Sequence, residues 1–331
     1  GVDYWPGSER LRRPGQLLNG HSRMIEREIT HEIRVEARAE RVYDFLSDVT
    51  RWADIFPPTI YAKQVESSER QELIQIWATA NDAVRTWRSR RTFEPEKLQI
   101  TFTQTQPAAP VIEMSGTWEV LAEGENASVV KLGHAFTAHT ENDANFIDAA
   151  VDTNSQKELE ALRKFFAVPE TEYLHGRVEE ALPVSASADD AFEFLLQADR
   201  WAERIPHVVD ATLTRFETGG ELLRLVTQSK DGSTHETASY RVVLSDSSIV
   251  YKQIETPGAL VSHRGKWHVF VENGQTFVKS VHEYAVTRTT VTNVLGLEAS
   301  LAEAIEIAGT NLIHNSTQTI KLIGSTNREG R

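Results

Sequence analysis

The sequence predicts an α+β protein of two tandem domains, each a curved antiparallel sheet wrapped around a long C-terminal helix. Two observations lead to this prediction. The chain of 331 residues is long enough for two domains of ordinary size, and its two halves carry similar sequences in the same order. We expect a tail over residues 1–25, a first domain over 26–168 and a second domain over 169–331.

The repeat holds nearly one spacing over most of each half. Trp52 and Trp201 lie 149 residues apart (201 − 52). Further matched pairs keep this spacing or exceed it by one residue, which indicates a tandem duplication with one insertion in the second half. These pairs are Glu72 with Glu221 (221 − 72 = 149), Trp118 with Trp267 (267 − 118 = 149), Ser89 with Ser239 (239 − 89 = 150) and Arg91 with Arg241 (241 − 91 = 150).

Each half has the same order of predicted elements. An alternating strand is followed by a helix whose apolar residues fall on one face. Several strands then follow, separated by short Gly, Asn, Asp and Pro clusters that predict antiparallel hairpins, and a long helix closes each half. The first strand and helix are predicted at 31–37 and 40–49, or 177–183 and 188–197 in the second half; the later strands of the first half at 60–67, 73–80, 84–94, 98–105, 112–122 and 128–138; and the closing helices at 142–166 and 293–323.

Composition narrows the class of protein. The chain is 40% hydrophobic and 25% charged, which is typical of a soluble protein. It has no apolar run of about 18 residues, so no transmembrane helix is expected, and residues 1–24 lack the order of a signal peptide. The absence of cysteine excludes disulfides and thiol nucleophiles and suits a cytoplasmic protein. The net charge of −13 argues against general nucleic-acid binding.

The stretch 84–94, with the sequence VRTWRSRRTFE, is the most informative part of the chain. Because a strand points alternate side chains to opposite faces, Arg85, Trp87, Ser89 and Arg91 share one face. If that face lines a cavity, Arg91 is a fixed cation inside an apolar chamber. If it faces water, the stretch is a basic edge strand.

The chain has a W-x-S-x-R strand, which the second half keeps only as T-x-S-x-R, and two copies each of a Trp-containing helical turn, a G-x-W strand and a long closing helix. In these features it resembles the START-like (helix-grip) aromatase/cyclases of bacterial type II polyketide synthases, specifically their di-domain members, whose fold encloses an internal cavity. The resemblance covers about residues 28–325. It implies an enzyme of aromatic polyketide (antibiotic) biosynthesis that binds a linear poly-β-ketone and guides first-ring aldol closure, between carbon 7 and carbon 12 of the polyketide, and dehydration. The implied partners are an acyl carrier protein, a ketosynthase and, for reduced chains, a ketoreductase. No cofactor, metal, nucleic acid or membrane is expected.

The resemblance also assigns site residues, some by a looser match than others. His134 and Asp148 are the nearest candidates for a strand histidine and a helix carboxylate that some members use. The second half has Thr237 where the first has Trp87, and Val226 where the first has Trp77, so the two pockets are not expected to be equivalent. The implied catalytic residues are Arg91, His134, Ser89, Arg241 and His282, and the implied substrate-binding residues are Trp52, Trp77, Trp87, Trp118, Asp148, Ser239, Trp201 and Trp267.

The expected chemistry suits these residue types. Aromatic walls are rigid and shape-selective, and positioning alone contributes up to roughly 7–11 kcal/mol in the best intramolecular reactions. A guanidinium such as that of Arg91 stabilises the enolate and alkoxide oxygens of an aldol reaction, but it is a poor proton donor or base. Dehydration requires proton transfer, for which His134 is the first candidate because the ordinary pKa of histidine lies near neutral pH; a water or a carboxylate is the alternative.

Several alternatives stay open at this stage. The tryptophans also suit a packed core, His134 a structural role, and Arg91 a structural ion pair with a buried carboxylate. Asp148 and Asp152 share a helix face that either lines the cavity or faces solvent. At the level of function, the same fold also serves non-catalytic carriers of a lipid or other hydrophobic ligand. A third reading makes one half a scaffold that supports the other half or docks the carrier protein.

Overall fold

The computed structural model describes residues 23–217, 219–229 and 231–325, so most of the predicted tail over 1–25 lies outside the described residues. The chain divides into two compact units, with the boundary between Ala167 and Val168. Among the described residues, no helix is both long enough and apolar enough to cross a membrane.

The first unit contains one seven-stranded antiparallel sheet with the strand order β1-β7-β6-β5-β4-β3-β2. The first two strands of the chain therefore form the two edges, and short helices connect them. The strands are β1 (Ile25–Val35), β2 (Thr59–Ser67), β3 (Gln71–Ala80), β4 (Ala83–Glu94), β5 (Gln99–Gln106), β6 (Glu113–Ala122) and β7 (Ser128–Ala138), and the helices are α1 (Ala39–Ser47), α2 (Trp52–Ile55) and α3 (Glu141–Ala167).

The long helix α3 packs against the sheet through one face. Its buried residues include Ile147, Val151, Ser155, Leu159 and Leu162, which recur every three or four positions. The C-terminal half of this face joins a core of residues from α1, α2 and the strands. The N-terminal half packs with strand residues near the ends of β6 and β7 in a separate cluster. This arrangement leaves space between the helix and the middle of the sheet.

The second unit repeats the architecture, with the strand order β8-β14-β13-β12-β11-β10-β9. The predicted α+β class, with two antiparallel sheets that each carry a long C-terminal helix, is confirmed. The strands are β8 (Tyr173–Val184), β9 (Val208–Arg215), β10 (Gly220–Gln228), β11 (Thr234–Leu244), β12 (Ser248–Glu255), β13 (Leu260–Glu272) and β14 (Gln275–Thr287), and the helices are α4 (Ala188–Leu196), α5 (Trp201–Arg204), α6 (Arg288–Leu295) and α7 (Leu301–Lys321).

The prediction of one closing helix over 293–323 in the second unit is wrong, because two helices, α6 and α7, occupy this region. The break follows from local chemistry. Gly296 has φ +92°, a backbone conformation that favours glycine and ends α6. Ser300 then starts α7 as its N-cap, with its side chain accepting a hydrogen bond from the Glu303 amide at 3.0 Å.

A glycine in β6 allows an aromatic ring to lie against the sheet. Gly116 pairs with Phe102 in β5 and is opposite His134 in β7. A Cβ atom at position 116 would lie 2.2 Å from the Gly133 carbonyl oxygen and 2.3 Å from the Phe102 ring. The second unit repeats this contact with Gly265 beneath the Tyr251 ring. The close approach therefore requires glycine at both positions.

We expect Gly116→Ala to lower the free energy of unfolding by about 1–3 kcal/mol, because the added methyl overlaps backbone that cannot move aside easily. Gly133→Ala, in the neighbouring strand, is the matched control, since the nearest atom to its Cβ would be Thr30 Oγ1 at an ordinary 3.5 Å. Urea unfolding followed by tryptophan fluorescence measures both. Equal losses for the two variants would contradict the packing argument.

Candidate active site

A cavity lies between α3 and the sheet of the first unit. Its volume is about 150 Å³. Three lining residues, Asn81, Ala109 and Phe146, are also exposed to solvent and mark its mouth. The lining residues Trp118 and Arg91 are only 3% and 1% exposed and mark its deep end.

All four side chains predicted to share one face of β4 line this cavity: Arg85, Trp87, Ser89 and Arg91. The strand is not at an edge, because β3 and β5 flank it. The face of β4 that these four side chains share is therefore turned toward the interior of the unit. Trp87 forms part of an otherwise largely apolar wall.

Arg91 is held by acceptors on three sides. Its Nε donates to Glu72 Oε1 at 2.7 Å, its Nη1 to the Leu46 carbonyl at 2.8 Å and its Nη2 to the Ser47 carbonyl at 2.6 Å. Glu72 is 5% exposed and lies directly opposite Arg91 on β3. Burial lowers the pKa of Arg91 from its usual value, and the Glu72 carboxylate opposes that shift.

Arg91 thus forms the structural ion pair with a buried carboxylate that the sequence left open as an alternative, and the pair also holds α1. The Leu46 and Ser47 carbonyls are at the C-terminal end of α1, where helix carbonyls lack partners and a cation is favourable. Arg91 therefore ties α1 to the sheet. The second unit repeats the device: Arg241 Nε lies 3.2 Å from Glu221 Oε2, and its Nη2 donates to the Leu195 carbonyl near the end of α4 at 2.8 Å.

His134 lines the cavity from β7 and packs edge-on against the Phe102 ring, with the ring centroids 5.5 Å apart. Its Nδ1 is buried without a hydrogen-bond partner among the described residues. Burial lowers the pKa of His134 to about 4, with a smaller contribution from His31. The imidazole is therefore neutral at pH 7, and its Nδ1 has no partner among the described residues.

Glu158 is a cavity residue that sequence reasoning missed. It projects from α3 into the lining, and burial raises its pKa to about 8, so this carboxyl is largely protonated at pH 7. A signal was present in the sequence. Glu158 follows Val151 and Ser155 at helical spacing and precedes Leu162, which makes it an acidic residue on the buried stripe of the helix.

The other predicted residues of the first unit divide into two groups. Trp52 and Trp118 line the cavity. Trp77 does not, because it lies on the other face of β3 and packs against the Tyr61 ring at 5.4 Å. Asp148 is also outside the lining, and its carboxylate accepts a hydrogen bond from Arg27 Nη1 at 2.8 Å. Neither Trp77 nor Asp148 therefore lines this cavity, and their substrate contacts stay predictions.

The predicted residues of the second unit are buried. Trp201 donates through its Nε1 to the Phe194 carbonyl at 3.0 Å, and Trp267, Ser239 and Arg241 are all less than 9% exposed.

His282 is the counterpart of His134, since it is opposite Gly265 as His134 is opposite Gly116. Both its nitrogens have partners: Nδ1 lies 2.9 Å from His263 Nε2, and Nε2 lies 3.1 Å from Ser316 Oγ. Burial lowers the pKa of His263 to about 3 and that of His282 to about 4, so both rings are neutral. Unlike His134, His282 is fully engaged by its own unit.

Comparison with known proteins agrees with this architecture. Residues 35–163 match the family model described as polyketide cyclase/dehydrase and lipid transport. The granaticin polyketide synthase bifunctional cyclase/dehydratase of Streptomyces virginiae is 39% identical over 249 residues, which are 74% of this chain and 81% of that protein. The corresponding actinorhodin protein of Streptomyces coelicolor is 36% identical over 297 residues, covering 86% and 91%.

Solved structures give the same result. The di-domain aromatase/cyclase BexL is 38% identical, with a TM-score of 0.75 over 92% of this chain and 99% of that chain. The di-domain aromatase/cyclase StfQ of the steffimycin pathway is 26% identical, with a TM-score of 0.73 over 91% and 99%. The tandem helix-grip fold of this chain is thus the one found in di-domain aromatase/cyclases. The chain belongs to the family of di-domain polyketide cyclase/dehydratases, and is an enzyme of polyketide synthesis.

The buried ion pair predicts strong coupling between its partners. Arg91→Met alone leaves an unpaired buried carboxylate and should cost about 3–5 kcal/mol of the free energy of unfolding, whereas Arg91→Met with Glu72→Leu should cost less than the sum of the single changes. The exposed pair of Arg70 and Glu96, at 3.2 Å, is the matched control with an expected coupling below about 1 kcal/mol. Double-mutant cycles in urea measure both couplings. Equal couplings would contradict the structural role.

The raised pKa of Glu158 predicts a pH-dependent stability. Between the ordinary pKa of 4.5 and the folded value of about 8, the unfolded chain ionises this carboxyl while the folded chain keeps it protonated, so stability falls as pH rises. Glu158→Gln removes the effect. Relative to the native chain, the free energy of unfolding of the variant should rise by more than about 1 kcal/mol between pH 5 and pH 8, because one pKa unit equals ~1.4 kcal/mol. If the difference in unfolding free energy between the variant and the native chain does not change with pH, Glu158 is exposed to water and the prediction is contradicted.

Proposed function

We propose that the first unit performs the chemistry, directing first-ring aldol closure of a poly-β-ketone bound to an acyl carrier protein, between its carbons 7 and 12, and then dehydration. The observation that supports this most directly is the pair of titratable groups in one aromatic-walled cavity. His134 has a pKa of about 4 and Glu158 a pKa of about 8. Burial has thus moved their pKa values so that a neutral base and a protonated acid are present together at pH 7.

The two groups complete the reaction without leaving a net change in either. In aldol closure, His134 removes a proton from a methylene between two carbonyls, the resulting carbanion bonds to a ketone carbon, and Glu158 donates its proton to the alkoxide. In dehydration, the Glu158 carboxylate removes the remaining proton from the former methylene carbon. The protonated His134 donates its proton to the hydroxyl on the former ketone carbon, and this hydroxyl leaves as water. Both side chains return to their starting states.

The remaining first-unit residues position the substrate. Trp87, Trp52 and Trp118 supply rigid walls that restrict the number of folded conformers. Ser89 and Arg91 are the polar groups toward the deep end. The predicted stabilisation of an oxyanion by Arg91 stays a prediction, since Glu72 already offsets its charge.

We assign the second unit a supporting role. His282 lacks a free nitrogen, and the helix position that matches Glu158 at the spacing of Ser155 and Ser316 is Thr319, because 319 − 158 and 316 − 155 are both 161. The predicted catalytic roles of Ser239, Arg241 and His282 are therefore not part of this proposal. The partners fitting the proposal are the carrier protein and the ketosynthase, with a ketoreductase for reduced chains, and the expected location is the cytoplasm.

The test is a reconstituted synthase that makes the linear chain, with the products separated by chromatography. The native protein should replace spontaneous products with one first-ring product. Glu158→Gln should slow formation of the dehydrated product by about 10²–10⁴-fold, as expected for loss of a general acid. His282→Asn is the matched control and should retain activity.

Two results would contradict the proposal. Unchanged products on addition of the native protein would favour a carrier of hydrophobic ligands. Loss of activity in His282→Asn, with full activity in Glu158→Gln, would move the chemistry to the second unit.

A further inference from the structure

The cavity of the first unit contains an arginine whose charge is not offset. Arg85 lines the cavity, and no carboxylate of a described residue forms an ion pair with it. Its Nη1 donates to the Ala109 carbonyl at 2.9 Å. Its Nε is buried and has no hydrogen-bond partner among the described residues. A buried donor without an acceptor is unfavourable, so an oxygen atom supplied by a ligand would stabilise this site.

Arg91 differs from Arg85 in each of these respects. Glu72 neutralises Arg91, and all three of its guanidinium nitrogens donate to protein acceptors. The interaction available from Arg91 is therefore largely used within the fold. In Arg85, the guanidinium edge formed by Nε and Nη2 has no acceptor among the described residues. Two parallel N–H groups on one edge suit a ligand with two neighbouring oxygens.

The position of Arg85 indicates which part of a ligand it would meet. Its Cζ lies 5.2 Å from the centroid of the Phe146 ring, and Phe146 and Ala109 are both at the mouth of the cavity. Arg85 and Arg91 are six residues apart on one strand (91 − 85), which separates their Cα atoms by about 20 Å at ~3.3 Å per residue. The free guanidinium edge is thus at the mouth, opposite the deep end.

We propose that Arg85 is a substrate-binding residue that holds an enolised 1,3-dicarbonyl group at the cavity mouth through its Nε–Nη2 edge. This inference rests on the proposed function, because it takes a poly-β-ketone as the ligand. The two oxygens of an enolised 1,3-dicarbonyl lie side by side and share one negative charge when the group ionises, so they match the paired donors. Binding there fixes which carbonyls stay near the carrier and which enter the cavity.

The second unit does not repeat this group. The position matching Arg85 at the spacing of Ser89 and Ser239 is His235 (85 + 150), which is exposed and lies 3.4 Å from Ser233 Oγ. An imidazole has no pair of parallel donors on one edge. The proposed dicarbonyl site therefore belongs to the unit that contains His134 and Glu158.

The experiment compares two diffusible probes by titration calorimetry on the full chain. Heptane-2,4,6-trione contains enolisable 1,3-dicarbonyls, and heptan-4-one has the same carbon chain length without them. The native chain should bind the trione more tightly than the monoketone. Arg85→Gln should weaken trione binding by at least about tenfold, as expected for loss of hydrogen bonds from a charged donor, and should leave monoketone binding unchanged, which shows that the cavity is intact.

Two further variants sharpen the comparison. Arg85→Lys keeps the charge but loses the paired donors, so its trione affinity should fall between those of the native chain and Arg85→Gln. Arg90→Gln is the matched control, because Arg90 is exposed on the opposite face of β4, and it should bind the trione within about twofold of the native chain. Equal trione affinity in the native chain and Arg85→Gln, or equal affinity of the native chain for both probes, would overturn the proposal.

The outcome is separable from that of the proposed function. Loss of trione affinity in Arg85→Gln, together with unchanged products in the reconstituted synthase on addition of the native chain, would support the dicarbonyl site and contradict the enzyme mechanism. If the native chain directs cyclisation but Arg85→Gln binds the trione normally, the enzyme mechanism is supported and the dicarbonyl site is contradicted.

Discussion

The ion pair of Arg91 and Glu72 is the interaction around which the first unit is built. It joins two adjacent strands, satisfies carbonyls at the end of α1 and is flanked by the rings of Trp52 and Phe93, which lie 5.2 and 5.1 Å from the guanidinium carbon. Charges buried to this degree are unfavourable unless both are paired and hydrogen-bonded. Gln64 completes the set by donating to the second Glu72 oxygen at 2.7 Å.

Burial has the opposite result for the titratable groups of the cavity. Around Arg91, burial is balanced by a partner, and the charge is kept. Around His134 and Glu158, burial acts without an ionic partner, and the neutral forms are favoured instead. One unit therefore contains a fixed charge that serves the structure and two neutral titratable groups, to which the proposed function assigns proton transfer. This division explains why the most buried cation need not be the one that meets the substrate.

Much of the fold could be predicted from the sequence. Strand alternation is a local pattern, and the repeat is visible when the two halves of the sequence are compared. The shared face of β4 followed from strand geometry alone. Trp77 could not be placed in the same way, since both faces of β3 are buried and alternation is hidden there. The partner of Arg91 was visible only as a repeated Glu72, because strand register is a long-range property. Glu158 was missed because Asp148 was chosen from a different face of the same long helix.

The packing of Arg91 against the end of α1 has a consequence for the size of ligand that the cavity accepts. A wall of apolar side chains can change rotamers and deepen, whereas a wall fixed by an ion pair and two backbone carbonyls cannot retreat without exposing unpaired groups. The inner boundary of the chamber is thus rigid. A ligand longer than the cavity would therefore have to bend back on itself or leave its surplus atoms outside.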